Sequence, residues 1–97
     1  MVIAVERFDL RIPQSHSLKQ KRHVVKTLTA ALRQTFQASV AEVDHQDLWQ
    51  RAAIAVVVVG SDEHHLRRVM QEVDRRVDDW LEIEVLERDL RFLWPED

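Results

Sequence analysis

Residues 50–60 read QRAAIAVVVVG, and this stretch decides the fold. From Ala52 to Val59 the chain is apolar without interruption. A half-buried strand would alternate apolar with polar residues, and an amphipathic helix would show a polar stripe. Neither pattern is present, so the run is a strand covered on both faces, the mark of a central position in a sheet. Gly60 stops it. Its length is far short of the roughly 20 residues that a membrane-spanning helix needs.

Working outward, residues 38–44 alternate, with Ala41 and Val43 on one face and Val40, Glu42 and Asp44 on the other. They predict a second strand joined to the first by a hairpin over 44–49. Past Gly60, Ser61 is placed to cap a helix whose first turn carries Asp62 and Glu63, favourable at its positive end. Leu66, Val69, Met70, Val73 and Val77, with Trp80 or Leu81, make its core stripe. Residues 82–93 form a last strand whose parity slips between Val85 and Leu86, which predicts a bulge.

At the amino end, residues 2–12 alternate up to Pro13. Val2, Ala4, Phe8, Leu10 and Ile12 share a face on which Glu6 is the exception, and Ile3, Val5, Arg7, Asp9 and Arg11 share the other. Ser17 with Gln20 three residues on makes a capping box. Leu18, Val25, Leu28, Leu32 and Phe36 then recur at helical spacing, predicting a helix over about 17–35.

The order is β-α-β-β-α-β. Two helices must cover one face of a four-stranded antiparallel sheet, and right-handed crossovers fix their winding. The expected architecture is an α+β, ferredoxin-like sandwich, a single domain over residues 1–97. The other sheet face is left bare, although the first and third strands are apolar on both sides. We expect self-association through this open face as a twofold homodimer; a moderately apolar open face on a monomer is the alternative.

Composition narrows the function classes. The chain has 97 residues, 45% hydrophobic and 32% charged, and no Cys. It has the balance of a soluble globular domain, and disulfides, thiolate metal sites and thiol nucleophiles are excluded. The opening MVIAVERFD has no basic region followed by an apolar core, so no secretion signal and no membrane association are expected, and the protein is expected in the cytoplasm. The net charge of −3 hides an asymmetry: residues 10–41 carry six cations and no acid, whereas residues 42–97 carry seven Arg against fifteen acids. All three lysines lie in the basic segment.

That segment contains SHSLKQKRHVVK, residues 15–26. Lys19, Lys21 and Arg22 fall at the helix start, where cations oppose the helix dipole at a cost of a few tenths of a kcal/mol each. A locally unfavourable choice points to another demand. Free helix N–H groups with Lys and Arg beside them suit phosphate or carboxylate, and Lys26 and Arg33 extend the basic face, with His16 and His23 alongside. A solvated face paired with nearby acids is the alternative. The topology brings this helix start and the 44–49 hairpin to the same end of the domain, so the mixed-charge set Glu42, Asp44, His45, Asp47, Trp49 and Arg51 can supply those acids. In this reading Glu42 and Asp47 organise Lys19, Arg22 or Arg51, and Trp49 packs over the turn with its indole N–H on an acceptor.

Glu42 and Asp44 can share a strand face while His45 points away, unless the turn re-aims it, and His64 and His65 cannot both face one ion; no metal or other cofactor is expected. General acid–base work by His45 with Asp44 or Asp47 would need a pocket that tight loops do not provide. No catalytic residue is therefore assigned, and a hydrolase using Asp44, His45 and Asp47 stays as an alternative. The third strand carries no aromatic, so the sheet face is a poor base-stacking platform.

SLKQKR at 17–22 followed by VAEVDHQDLWQRA at 40–52 resembles the YlxP-like family of small bacterial proteins of unknown function. The matching positions are Ser17, Leu18, Lys19, Lys21 and Arg22, then Ala41, Glu42, Asp47, Trp49, Gln50 and Arg51. The resemblance implies a ferredoxin-like fold and no established activity. Its members' genes often neighbour those for translation and ribosome maturation, which implies a ribosome- or RNA-associated role. The expectation is a non-catalytic protein that binds ribosomal RNA or another anionic partner through Lys19, Lys21, Arg22, Lys26 and Arg33. A regulatory domain taking a phosphate or carboxylate metabolite at the helix start is the alternative.

Overall fold

The computed structural model describes residues 1–96. The elements follow the expected order: β1 (Val2–Arg11), α1 (Leu18–Phe36), β2 (Ser39–Asp44), β3 (Arg51–Gly60), α2 (Glu63–Asp78) and β4 (Glu84–Leu93). The sheet order is β2-β3-β1-β4 with antiparallel neighbours throughout. This is the ferredoxin-like α+β arrangement.

Alternation in β1 builds the core. Val2, Ala4, Phe8 and Leu10 are buried towards the helices, and their β3 partners Val58, Ile54 and Ala52 lie on the same side. Leu28 and Leu32 of α1 and Leu66, Met70, Val73 and Val77 of α2 close over them. Ser17 caps α1 as expected, its side chain accepting from the Gln20 N–H, while Gln20 Oε1 reaches back to the His16 N–H. The cap of α2 is Asp62 rather than Ser61: its carboxylate accepts from the His64 N–H. The ion is the better partner for a helix's positive end. Gly60 ends β3 where Leu66 leans in, 3.1 Å from the place a Cβ would occupy.

Two irregularities matter for the site. Opposite Asp9 and Leu10, β4 steps from Glu87 to Val85 and leaves Leu86 over, the predicted slip. The second was not anticipated: β2 steps from Glu42 to Asp44 against β3 and leaves Val43 unpaired. An inserted residue turns each later side chain of its strand to the opposite face.

Glu6 lies in the helix-facing row of β1 and is 1% exposed. No helix among the described residues is long and apolar enough to cross a membrane.

Candidate functional site

The helix start and the hairpin meet at one end of the molecule, and a lysine joins them. Lys21 is completely buried. Its Nζ donates to Glu42 Oε2 at 2.7 Å, to the His45 carbonyl at 3.1 Å and to the Gln46 carbonyl at 3.2 Å. An ammonium group has three N–H donors, so all are engaged within the chain. A second clasp runs beside the first. Gln50 Nε2 donates to the Pro13 and Ser15 carbonyls at 3.3 and 3.1 Å, and the Ile12 N–H donates to the Gln50 carbonyl at 2.9 Å.

These bonds correct the expected role of Lys21. It stands on the same side of α1 as Val25, Leu28 and Leu32, so it points inward and cannot face an external anion. Arg33 is corrected in part: its Nε and Nη2 both donate to the Val40 carbonyl of β2, at 3.2 and 2.8 Å, which occupies an edge strand rather than a partner. Lys19, Arg22 and Lys26 remain exposed, with no ion pair among the described residues. His16 and His23 are exposed beside them.

The hairpin acids do not form one cluster. The Val43 bulge sends Glu42 to the helix side and Asp44 to the open sheet face, where the sequence pattern had put both on one side. Asp44 Oδ2 lies 3.4 Å from Arg7 Nη2, and Asp44 Oδ1 accepts from the His45 N–H at 2.8 Å. His45 adopts a left-handed backbone (φ 62°), and this turn re-aims its ring. Its Nε2 is 3.6 Å from Asp9 Oδ1 and its Nδ1 3.9 Å from Asp44 Oδ1. Arg7 hydrogen-bonds Asp9 as well, at 3.2 Å. The Arg7 guanidinium holds the Asp9 carboxyl below the usual range, and the His45 N–H does the same for Asp44.

Asp47 is exposed and makes no ion pair among the described residues, so only Glu42 of the two expected acids organises a cation, and that cation is Lys21. Arg51 lies close enough to Asp9 to help lower its pKa, and its Nε is buried without a partner. Trp49 is not an enclosed anchor; it is 56% exposed. Asp44, His45 and Asp47 therefore do not converge on a reacting point. No set of three or more His, Asp or Glu among the described residues is placed to hold a metal. An open groove of about 610 Å³ does lie at this end, lined by Ser15, Ser17, Lys19, Gln20, His23 and Glu82 among others, and not by the hairpin.

A model of the family described as "Protein of unknown function (DUF503)" matches residues 3–90. The chain belongs to the DUF503 family. A relative from Bacillus subtilis (strain 168), named "Uncharacterized protein YlxP", is 34% identical over 68 residues, covering 70% of this chain and 74% of its own. The resemblance to the YlxP-like family is thus confirmed. Among solved structures the de novo designed protein Foldit4 is similar in fold, with a TM-score of 0.55 at 11% identity, over 99% of this chain and 100% of its own.

Within this DUF503 protein the motif residues divide by whether they are bonded within the chain. Ser17, Lys21, Glu42 and Gln50 are joined to one another or to the intervening backbone. Lys19, Arg22, Asp47 and Trp49 face solvent on the same end. A further polar group centres on Glu6, the exception in the apolar row of β1, to which the sequence pattern assigns no role. Glu6 of β1 lies beside Asp74 of α2, and Arg88 of β4 bridges Asp74 at 3.7 Å and both oxygens of Asp78. Burial first, and the Asp74 carboxyl second, push Glu6 up to about 8 from its ordinary 4.5. The signal was a lone acid in an apolar row.

Proposed function

We propose that this DUF503 protein is a non-catalytic, cytoplasmic binding protein that engages ribosomal RNA through the outer face of α1. The observation that carries the reading is the cation stripe. At 100° per residue, Lys19, Arg22, Lys26 and Arg33 fall within an arc of about 60°, over a length of about 21 Å. The helix contains no acid to neutralise them. With Lys21 engaged internally and Arg33 partly so, three free cations and the remainder of the Arg33 fork supply the phosphate contacts. Such contacts position a nucleic acid without reading its sequence, and they weaken steeply with salt.

The protein is expected to co-sediment with ribosomal subunits at low ionic strength and to be released when salt is raised. Substituting Lys19, Arg22 and Lys26 together by Ala should abolish the low-salt association without altering the fold. Absence of co-sedimentation at low salt overturns the proposal. If it is absent and phosphate or carboxylate metabolites raise the melting temperature instead, the groove beside Lys19 and His23 becomes the site, the second reading that its size supports.

The reading includes a homodimer through the open sheet face. Ile3, Val5, Val57, Val59 and Leu93 are cross-strand neighbours there, and Val59 is 63% exposed. Towards the hairpin the same face neutralises itself, with Arg7 on Asp9 and Asp44, and Arg91 on Asp89. An apolar patch bordered by self-paired charges suits a second copy better than a polyanion. Sedimentation equilibrium should give a dimer for the wild type and a folded monomer for Val59→Glu. A wild type that stays monomeric at high concentration refutes this part.

A further inference from the structure

The hairpin tip carries two large side chains that the core does not use, Leu48 and Trp49, which are 46% and 56% exposed. The tip is nevertheless fixed. Lys21 holds the His45 and Gln46 carbonyls, and the Leu48 N–H closes the turn on the His45 carbonyl at 3.1 Å. Gln50 is bound by backbone and side chain to residues 12–15. Trp49 is thus bracketed between Gln46 and Gln50, both tied to the segment that opens α1, and its Cα is one peptide step, about 3.8 Å, from that of Gln50. The backbone that carries the indole is held at the end of the molecule where Lys19 and Arg22 are exposed. A side chain on an anchored hairpin needs no ordering of the loop when it binds.

We infer that Trp49 is a stacking platform for an unpaired RNA base, with Lys19 and Arg22 taking the phosphates on either side of it. This rests on the proposed ribosomal-RNA function and narrows the ligand to a single-stranded segment, because a base inside a duplex offers no free face. Charge supports the division of labour. The α1 stripe is purely cationic, whereas Asp47 places an exposed carboxylate at the hairpin tip. That carboxylate repels phosphate but accepts a hydrogen bond from an exocyclic amine such as cytosine N4. The hairpin takes the base and the helix takes the backbone.

The test is binding of fluorescein-labelled 12-nucleotide oligo(C) and oligo(U) and of an RNA duplex at low salt. The proteins compared are the wild type, Trp49→Ala, Trp49→Phe and Lys19→Ala/Arg22→Ala. The expected results are tighter binding of single strand than of duplex, and of oligo(C) than of oligo(U). Trp49→Ala should weaken single-strand binding about 5- to 150-fold, leaving duplex binding and the salt slope unchanged. Trp49→Phe, which keeps a stacking ring, should retain most of the affinity, and the double cation variant should flatten the salt slope. Equal single-strand affinity for wild type and Trp49→Ala, or equal binding of strand and duplex by the wild type, overturns the platform and leaves the phosphate-binding reading standing. No binding of any RNA at low salt overturns both.

Discussion

Replacing Lys21 by Met is expected to lower the unfolding free energy by about 3–5 kcal/mol, the usual cost of removing one partner from a buried ion pair. The loss has two parts. Glu42, whose side chain is 19% exposed, would lose its cation and face an apolar group instead. The Gln46 carbonyl would lose its Lys21 donor and the His45 carbonyl would keep only the Leu48 N–H, at about 1–3 kcal/mol for an acceptor left both buried and unpaired. The double variant Lys21→Met/Glu42→Leu separates these parts. It removes the uncompensated charge, so it should recover most of the first loss and retain the second. Urea unfolding monitored by circular dichroism measures both, and the slope should stay constant while the midpoint falls. A Lys21→Met midpoint within about 0.5 kcal/mol of wild type would show that the three bonds contribute nothing net. The hairpin should also loosen: amide exchange at residues 45–50 is expected to speed up more than exchange in β3.

The same lysine shows what the sequence could and could not disclose. The architecture was legible because it rests on periodicity, and periodicity is a property of many residues at once. The unbroken Ala52–Val59 run placed β3 in the sheet interior, alternation set the two faces of β1, and the stripe through Val25, Leu28 and Leu32 oriented α1. The site depends on single residues, where two rules compete. Lys21 is a cation at a helix start, which suggests an external anion; it also stands at the spacing of the core stripe, which places it inside. Packing position decided the outcome, since a helix face is fixed by its neighbours and one side chain must follow. Glu6 repeats the case in β1, an acid in a row of apolar residues. The split of Glu42 from Asp44 had no such signal. It arises from a bulge at Val43 and a left-handed His45, features set by how the turn closes rather than by pattern. An aromatic at a turn suggests an anchor, but the clasp through Gln50 fixes the chain and leaves Trp49 largely in water.

Glu6 makes the second large prediction, in the pH dependence of stability. Its folded-state pKa is raised to about 8 against an ordinary 4.5. Between those values the folded protein keeps a proton that the unfolded chain releases, so stability falls as pH rises through that window and levels off above it. The slope is at most about 1.36 kcal/mol per pH unit for one proton, and the full loss is on the order of 4–5 kcal/mol if nothing relaxes. The groups facing Glu6 fix the sign and the limit. Asp74 and Asp78 on α2 raise its pKa, and Arg88 on β4 opposes them. Burial alone favours the neutral acid, since Glu6 Oε1 is buried without a hydrogen-bond partner that would stabilise its charge. Glu6→Gln reproduces the neutral form at every pH, with its amide able to donate where the acid did. The variant should match wild type near pH 5 and exceed it by several kcal/mol at pH 9, and denaturant midpoints across that range measure the difference. Parallel pH profiles for the two proteins would mean that Glu6 ionises in the folded state without penalty. Asp9 and Asp44 act in a separate window. Their pKa values are depressed, so the stability they contribute is present above the ordinary 3.8 and is lost only as pH falls below it. An alkaline loss that Glu6→Gln removes and an acid loss that it leaves untouched would assign the two limbs of the profile to opposite faces of the sheet.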